Sequence, residues 1–93
     1  MKTVKLQIII VQQGWVIVGE ADPTSTHIEV QNASVVRRWG TTKGLGELAM
    51  KGPRPETILD YAGRVEIPNH AVVLRIDCDE KGWNAFQKGM GAA

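Results

Sequence analysis

The residues of this 93-residue chain with the most chemical potential are crowded into one stretch, Val35-Val-Arg-Arg-Trp-Gly-Thr-Thr-Lys-Gly-Leu-Gly-Glu-Leu-Ala-Met-Lys-Gly-Pro53. Within it, Arg37, Arg38, Trp39, Thr41, Thr42, Lys43, Gly44 and Gly46 are the candidate ligand-binding residues. Together they hold the parts of an anion site. A glycine-rich turn lets backbone N–H groups face a ligand, and the start of a following helix adds the positive end of its dipole. Thr41, Thr42 and Lys43 can donate to phosphate oxygens, and Arg37 or Arg38 can grip phosphate with two parallel N–H groups. Trp39 can stack on a base. The expected ligand is a nucleotide or cyclic nucleotide, bound without being transformed.

Each of these residues also has a plainer reading. Trp39 shares a strand face with Val35 and can be a packing anchor. The glycines can serve turns alone, Thr42 can be a helix N-cap, and the arginines can be the solvated charges of an edge strand. The spacing matches no known phosphate loop.

Other chemistry is poorly supplied. His27 and His70 lie far apart, one on an exposed strand row and one in a turn. Four aspartates and six glutamates are scattered without a local acid–base pair. There is no HExxH, CxxC or GxxxxGK[ST] motif. Cys78 is the single cysteine, so neither an internal disulfide nor a thiolate zinc site is expected. Its place in the row Val72, Leu74, Ile76 points to a buried thiol. No catalytic residue, metal or cofactor is expected, and the chain reads as a non-enzyme.

The elements that must position the central stretch are mostly strands. Residues 3–12, with Ile8-Ile9-Ile10-Val11, predict a strand covered on both faces. Gln12-Gln13-Gly14 turns the chain into a second strand over 15–21, and Asp22-Pro23-Thr24-Ser25 turns it again. The third strand starts at Thr26 with Ile28 and Val30 inward. Its side-chain parity changes at Asn32-Ala33, which predicts a bulge or a tight turn into a new strand. A short helix near residues 42–50, capped by Thr41 or Thr42 and stopped by Gly52-Pro53, follows. Residues 57–61 and 64–68 predict a second hairpin with its turn at Ala62-Gly63, and 71–78 the last strand. The tail 79–93 is expected to be partly ordered, with Trp83 and Phe86 packing it down or clasping a neighbouring subunit. The fold class expected is mainly β, bordering on α+β: a small antiparallel barrel or sandwich of about six or seven strands with one short helix.

Composition bounds the rest. Hydrophobic residues make up 43% and charged residues 23%, the balance of a folded globular domain rather than a disordered chain. The length predicts one domain over 1–93 with little stability to spare, for which self-association into a homo-oligomer is a natural remedy. A net charge of +1 argues against general nucleic-acid capture. The absence of a long apolar run and of a visible secretion signal predicts a non-membrane, cytoplasmic protein.

The central motif resembles that of a family of short uncharacterised proteins of tailed phages and prophages. The likeness rests on Gly14-Trp15-Val16, on Val35 through Ala49, on Gly52-Pro53, on Leu59-Asp60 and on Ile76-Asp77-Cys78. It implies a setting more than a mechanism: a small accessory protein in the host cytosol. Such a protein would inhibit host antiviral defence, by sequestering a nucleotide signal or by plugging a host defence protein. A minor phage structural or host-takeover role is the alternative.

Overall fold

Three consecutive isoleucines cannot turn one face to water, because successive strand side chains point to opposite sides. Ile8 and Ile9 are both fully buried. The first strand therefore needs cover on both faces, and the rest of the chain supplies it. The computed structural model describes residues 5–42 and 44–83. It contains β1 (Lys5–Val11), β2 (Trp15–Pro23), β3 (His27–Arg38), α1 (Leu45–Lys51), β4 (Ile58–Pro68) and β5 (Val72–Asp77), with single 3-10 turns at Gln12–Gly14 and Asn69–Ala71. The five strands make one antiparallel sheet in the order β4-β3-β2-β1-β5, so the protein is mainly β.

Five strands stand where six or seven were expected, and two bulges account for the difference. The parity change at Asn32 does not start a new strand. Asn32 takes φ 50° and its amide donates to Glu20 Oε2 at 2.8 Å, so β3 bends and continues. Likewise, Ala62-Gly63 is not a hairpin turn. Gly63 takes φ 82°, β4 runs through it, and both halves of β4 pair with β3 instead of with each other.

The sheet curls. β4 and β5 lie at opposite edges and run in the same direction. On a flat sheet the link from Pro68 to Val72 would travel the length of a strand, about 20 Å, yet three intervening residues reach only about 14 Å. The bends in β3 and β4 fold one half of the sheet across the other and bring the strand ends together. The linking turn is tied at both ends: Asn69 N–H donates to Thr26 O at 3.1 Å, and Gln12 Nε2 donates to His70 O at 3.5 Å. The edge strands do not pair with each other, so the curl stops short of closure.

Two apolar clusters result. Ile9, Ile17, Ile28, Val30 and Ile67 pack inside the curl. Leu6, Ile8, Val16, Val18 and Val36 face the other way and are covered by Leu45, Leu48, Ala49 and Trp83. Trp83 is fully buried, and its indole N–H donates to Ala49 O at 3.0 Å. It belongs to a helical stretch over 80–83. The same Ala49 carbonyl accepts the Asp79 N–H at 2.9 Å. This stretch and the end of α1 cross at Gly52 and Gly82. Gly52 has φ 80°, and a Cβ on it would collide with the Gly82 carbonyl. Trp83 packs the chain down, as one of the two expectations had it. Phe86 lies outside the described residues.

Candidate functional site

β3 carries Arg37 and Arg38 to its end, and the chain then turns away from the sheet at Gly40. Gly40 has φ 70°, and its backbone lies so close to Glu56 and Thr57 that any side chain would strike them. Thr57 locks this contact. Its hydroxyl donates to Trp39 O at 2.7 Å and accepts the Arg54 N–H at 2.8 Å. The Trp39 backbone is thereby pinned while its side chain stays 43% exposed. It is not a packing anchor.

Both arginines have carboxylate partners on the neighbouring segment. Arg37 reaches Asp60 through Nε at 2.8 Å and a terminal nitrogen at 3.4 Å, a two-pronged grip across the β3–β4 pair. Arg38 reaches Glu56 at 3.5 Å. All four side chains are more than half exposed, so each pair contributes little to stability. Thr41 and Thr42 do not cap α1. Thr41 Oγ1 donates to Gly44 O at 2.7 Å, and Thr42 Oγ1 donates to Glu47 Oε1 at 3.3 Å. The N-cap position belongs to Gly44 at φ 83°, and Gly46 lies inside the helix. Lys43 is outside the described residues. The structure thus gathers the predicted residues on one shoulder of the fold, but the side chains of Arg37, Arg38, Thr41 and Thr42 all have protein partners.

A second cluster was not legible in the sequence. Glu29 on β3 and Glu66 on β4 are directly opposite in the strand register, and His27 joins them within ligand distance. Like charges facing across an antiparallel pair repel. Arg64 resolves the conflict by donating to both carboxylates. Its hydrogen bonds hold the Glu66 carboxyl below the ordinary range, and the arginine's own pKa is raised in return. The His27 ring nitrogen Nδ1 lies 2.9 Å from the Thr26 hydroxyl and 3.3 Å from that of Thr24. The place a cation would take is held by a guanidinium. Only the β3–β4 register brings Glu29 to Glu66, 37 positions along the chain.

Cys78 is half-buried rather than fully buried, and the expected inward row is split by a bulge at Val73. Val72 packs with the cluster inside the curl, while Ile76 and Cys78 pack with the helix-covered one. Burial first, and the charge of Asp77 second, push the thiol pKa up to about 12, against a backbone hydrogen bond from Ile8 that lowers it. At neutral pH it is no thiolate and no nucleophile.

Grooves open beside Lys5 and Cys78, beside Asn69 and Val72, and beside Gln7 and Ala21, and the described residues among 37–46 line none of these. What the surface does offer is exposed apolar area: Trp39 and Met50 on the shoulder, Tyr61 on β4, Trp15 at the first turn, and Val73 and Leu74 on β5. Among the described residues no helix is long and apolar enough to cross a membrane. No protein family, curated protein or solved structure matches the chain.

Proposed function

We propose that the protein is a non-catalytic binding module that acts by docking its Trp39 shoulder onto another protein. The observation that carries this reading is Trp39 itself: a large aromatic side chain, held out toward solvent on a backbone fixed by Gly40 and Thr57, directly after two arginines in the chain. Exposed aromatic residues and arginines are the groups protein interfaces favour, and a fixed backbone lowers the entropy lost on binding. Two features turn the reading away from a phosphate ligand. The guanidinium groups already face Asp60 and Glu56, and the threonine hydroxyls are spent within the loop. The motif's resemblance to phage proteins would make the partner a host protein, with interference in host defence as the role.

The experiment compares wild type with Trp39→Ala in two assays. One is thermal shift against linear and cyclic nucleotides, in which wild type is expected to show no shift. The other is capture of host proteins, followed by titration of the purified partner. The partner is expected to bind wild type and to lose roughly tenfold or more in affinity on Trp39→Ala, with the melting temperature unchanged. A nucleotide that raises the melting temperature, and does so less in Arg37→Ala, would return the site to the anion reading. A partner bound equally by both proteins would remove the shoulder from the function.

A further inference from the structure

The last strand lies at one edge of the sheet, and among the described residues nothing pairs beyond it. Its backbone pattern is fixed by the bond from Cys78 N–H to Leu6 O at 2.9 Å. Antiparallel ladders alternate, so residues 74, 76 and 78 bond toward β1, and Arg75 and Asp77 direct their N–H and C=O groups outward. The bulge at Val73 ends the regular stretch. On one face of this stretch lie Leu74, 44% exposed, with Ile76 and Cys78. On the other lie Arg75 and Asp77, opposite Ile9 and Gln7. Among the described residues Arg75 has no ion-pair partner. The Asp77 carboxylate accepts from Gln7 Nε2 at 2.7 Å through one oxygen and keeps the other available.

We propose that β5 is the contact strand of a homodimer, pairing antiparallel with β5 of a second copy about a twofold axis at Ile76. This is independent of the docking shoulder. A twofold axis normal to the sheet must pass through a residue that faces its own copy, which leaves Leu74, Arg75, Ile76 or Asp77 at the centre. Centring on Arg75 sets two guanidinium groups face to face, and centring on Asp77 two carboxylates. Centring on Leu74 sets Arg75 against the bulge residue Val73. Centring on Ile76 sets Arg75 against Asp77 of the other copy, twice, as hydrogen-bonded cross-strand pairs of opposite charge. On the opposite face it sets Ile76 against Ile76 and Leu74 against Cys78, which covers the exposed apolar row. Charge complementarity thus selects both the occupant, a second copy, and the register. The other edge is defended against such pairing: β4 carries Arg64, Glu66 and Pro68 and has three register breaks against β3.

The register makes a covalent test available. Residues 74, 76 and 78 would sit in non-hydrogen-bonded pairs, where Cα atoms are about 4.5 Å apart and a disulfide can form. Ile76→Cys in a Cys78→Ala background is expected to oxidise to a linked dimer. Leu74→Cys is expected to link when Cys78 is present and to stay reduced when Cys78 is alanine. Wild type is expected to scatter light with twice the 10.2 kDa chain mass. Arg75→Asp should weaken the dimer about tenfold, and adding Asp77→Arg should restore it, since the exchanged charges still complement. Circular dichroism checks that each variant is folded. A wild type of single-chain mass at tens of micromolar overturns the proposal, whether the edge is then covered by residues 84–93 or by another protein. So does linkage of Leu74→Cys in the Cys78→Ala background, or a double charge variant as weak as Arg75→Asp.

Discussion

The shoulder at residues 37–57 and the edge at residues 74–78 invert each other. The shoulder has the richer sequence, with its arginines, hydroxyls and glycines, yet the side chains of Arg37, Arg38, Thr41, Thr42 and Thr57 are all engaged within the chain. The edge reads as one more plain strand, Val-Val-Leu-Arg-Ile-Asp, yet it keeps an outward row of backbone groups, an arginine with no ion-pair partner among the described residues and a half-exposed leucine. A dense polar motif reports on what a loop needs in order to fold as readily as on what it binds. Conversely, a site made of backbone groups leaves no mark in residue types.

If the shoulder is held from beneath, the largest loss follows from removing its buttress. Trp83→Ala is expected to cost about 3–5 kcal/mol, enough to unfold much of the protein at room temperature, as read by urea unfolding. Survival of the fold with a loss under about 1 kcal/mol would show that α1 is held by something else. Next comes Thr57→Val, which leaves the Trp39 carbonyl and the Arg54 N–H without their bonds. A cost of about 1–3 kcal/mol is expected in the same measurement. The exposed groups of the shoulder should matter far less. Trp39→Ala, Arg37→Ala and Arg38→Ala are each expected within about 1 kcal/mol of wild type. A loss of about 3 kcal/mol at Trp39 would make it a packing residue after all and would merge the two regions into one kind.

The remaining effect is one of pH, absent at neutrality, and concerns the thiol beside the edge. Cys78 ionises near pH 12 in the folded chain and at its ordinary value when unfolded. Above pH 9 the unfolded state therefore holds fewer protons than the native state, and stability falls as pH rises toward 12. Below pH 9 the group contributes no slope. Cys78→Ala should flatten the decline, and thiol reagents should label wild type slowly at pH 8. Rapid labelling there would show an accessible thiolate.

Much of the fold was legible because it rests on local rules. The triple isoleucine declared a strand covered on both sides, Gln12-Gln13-Gly14 declared a turn, and Gly52-Pro53 ended the helix within a residue of where it ends; of the turn expected at Asp22-Pro23-Thr24-Ser25 only Thr24 and Ser25 turn, because Asp22 and Pro23 still pair with β3. The bulges were not separable from turns, because Asn32 and Gly63 both allow positive φ and both are used for either purpose. What decided between them was pairing between β3 and β4, which no local pattern states. The same holds for the candidate site. Residue types announced Arg37 and Arg38, but the carboxylates that neutralise them, Asp60 and Glu56, come from about twenty positions later in the chain. The Glu29–Glu66–Arg64 cluster was hidden for that reason too.

The order of the strands also sets a timetable for the making of the protein. Among the described strands β1 emerges earliest in synthesis and β5 latest, yet they are neighbours. The indole that seals the helix-covered cluster comes later still, at residue 83. A growing chain can form the β1–β2 hairpin early, but one side of β1 stays bare until translation has passed the final strand. At about 5–20 residues per second the interval from β2 to Trp83 lasts several seconds. During it Ile8 and Ile9 lack half their cover, so the newborn chain depends on being finished before it meets another.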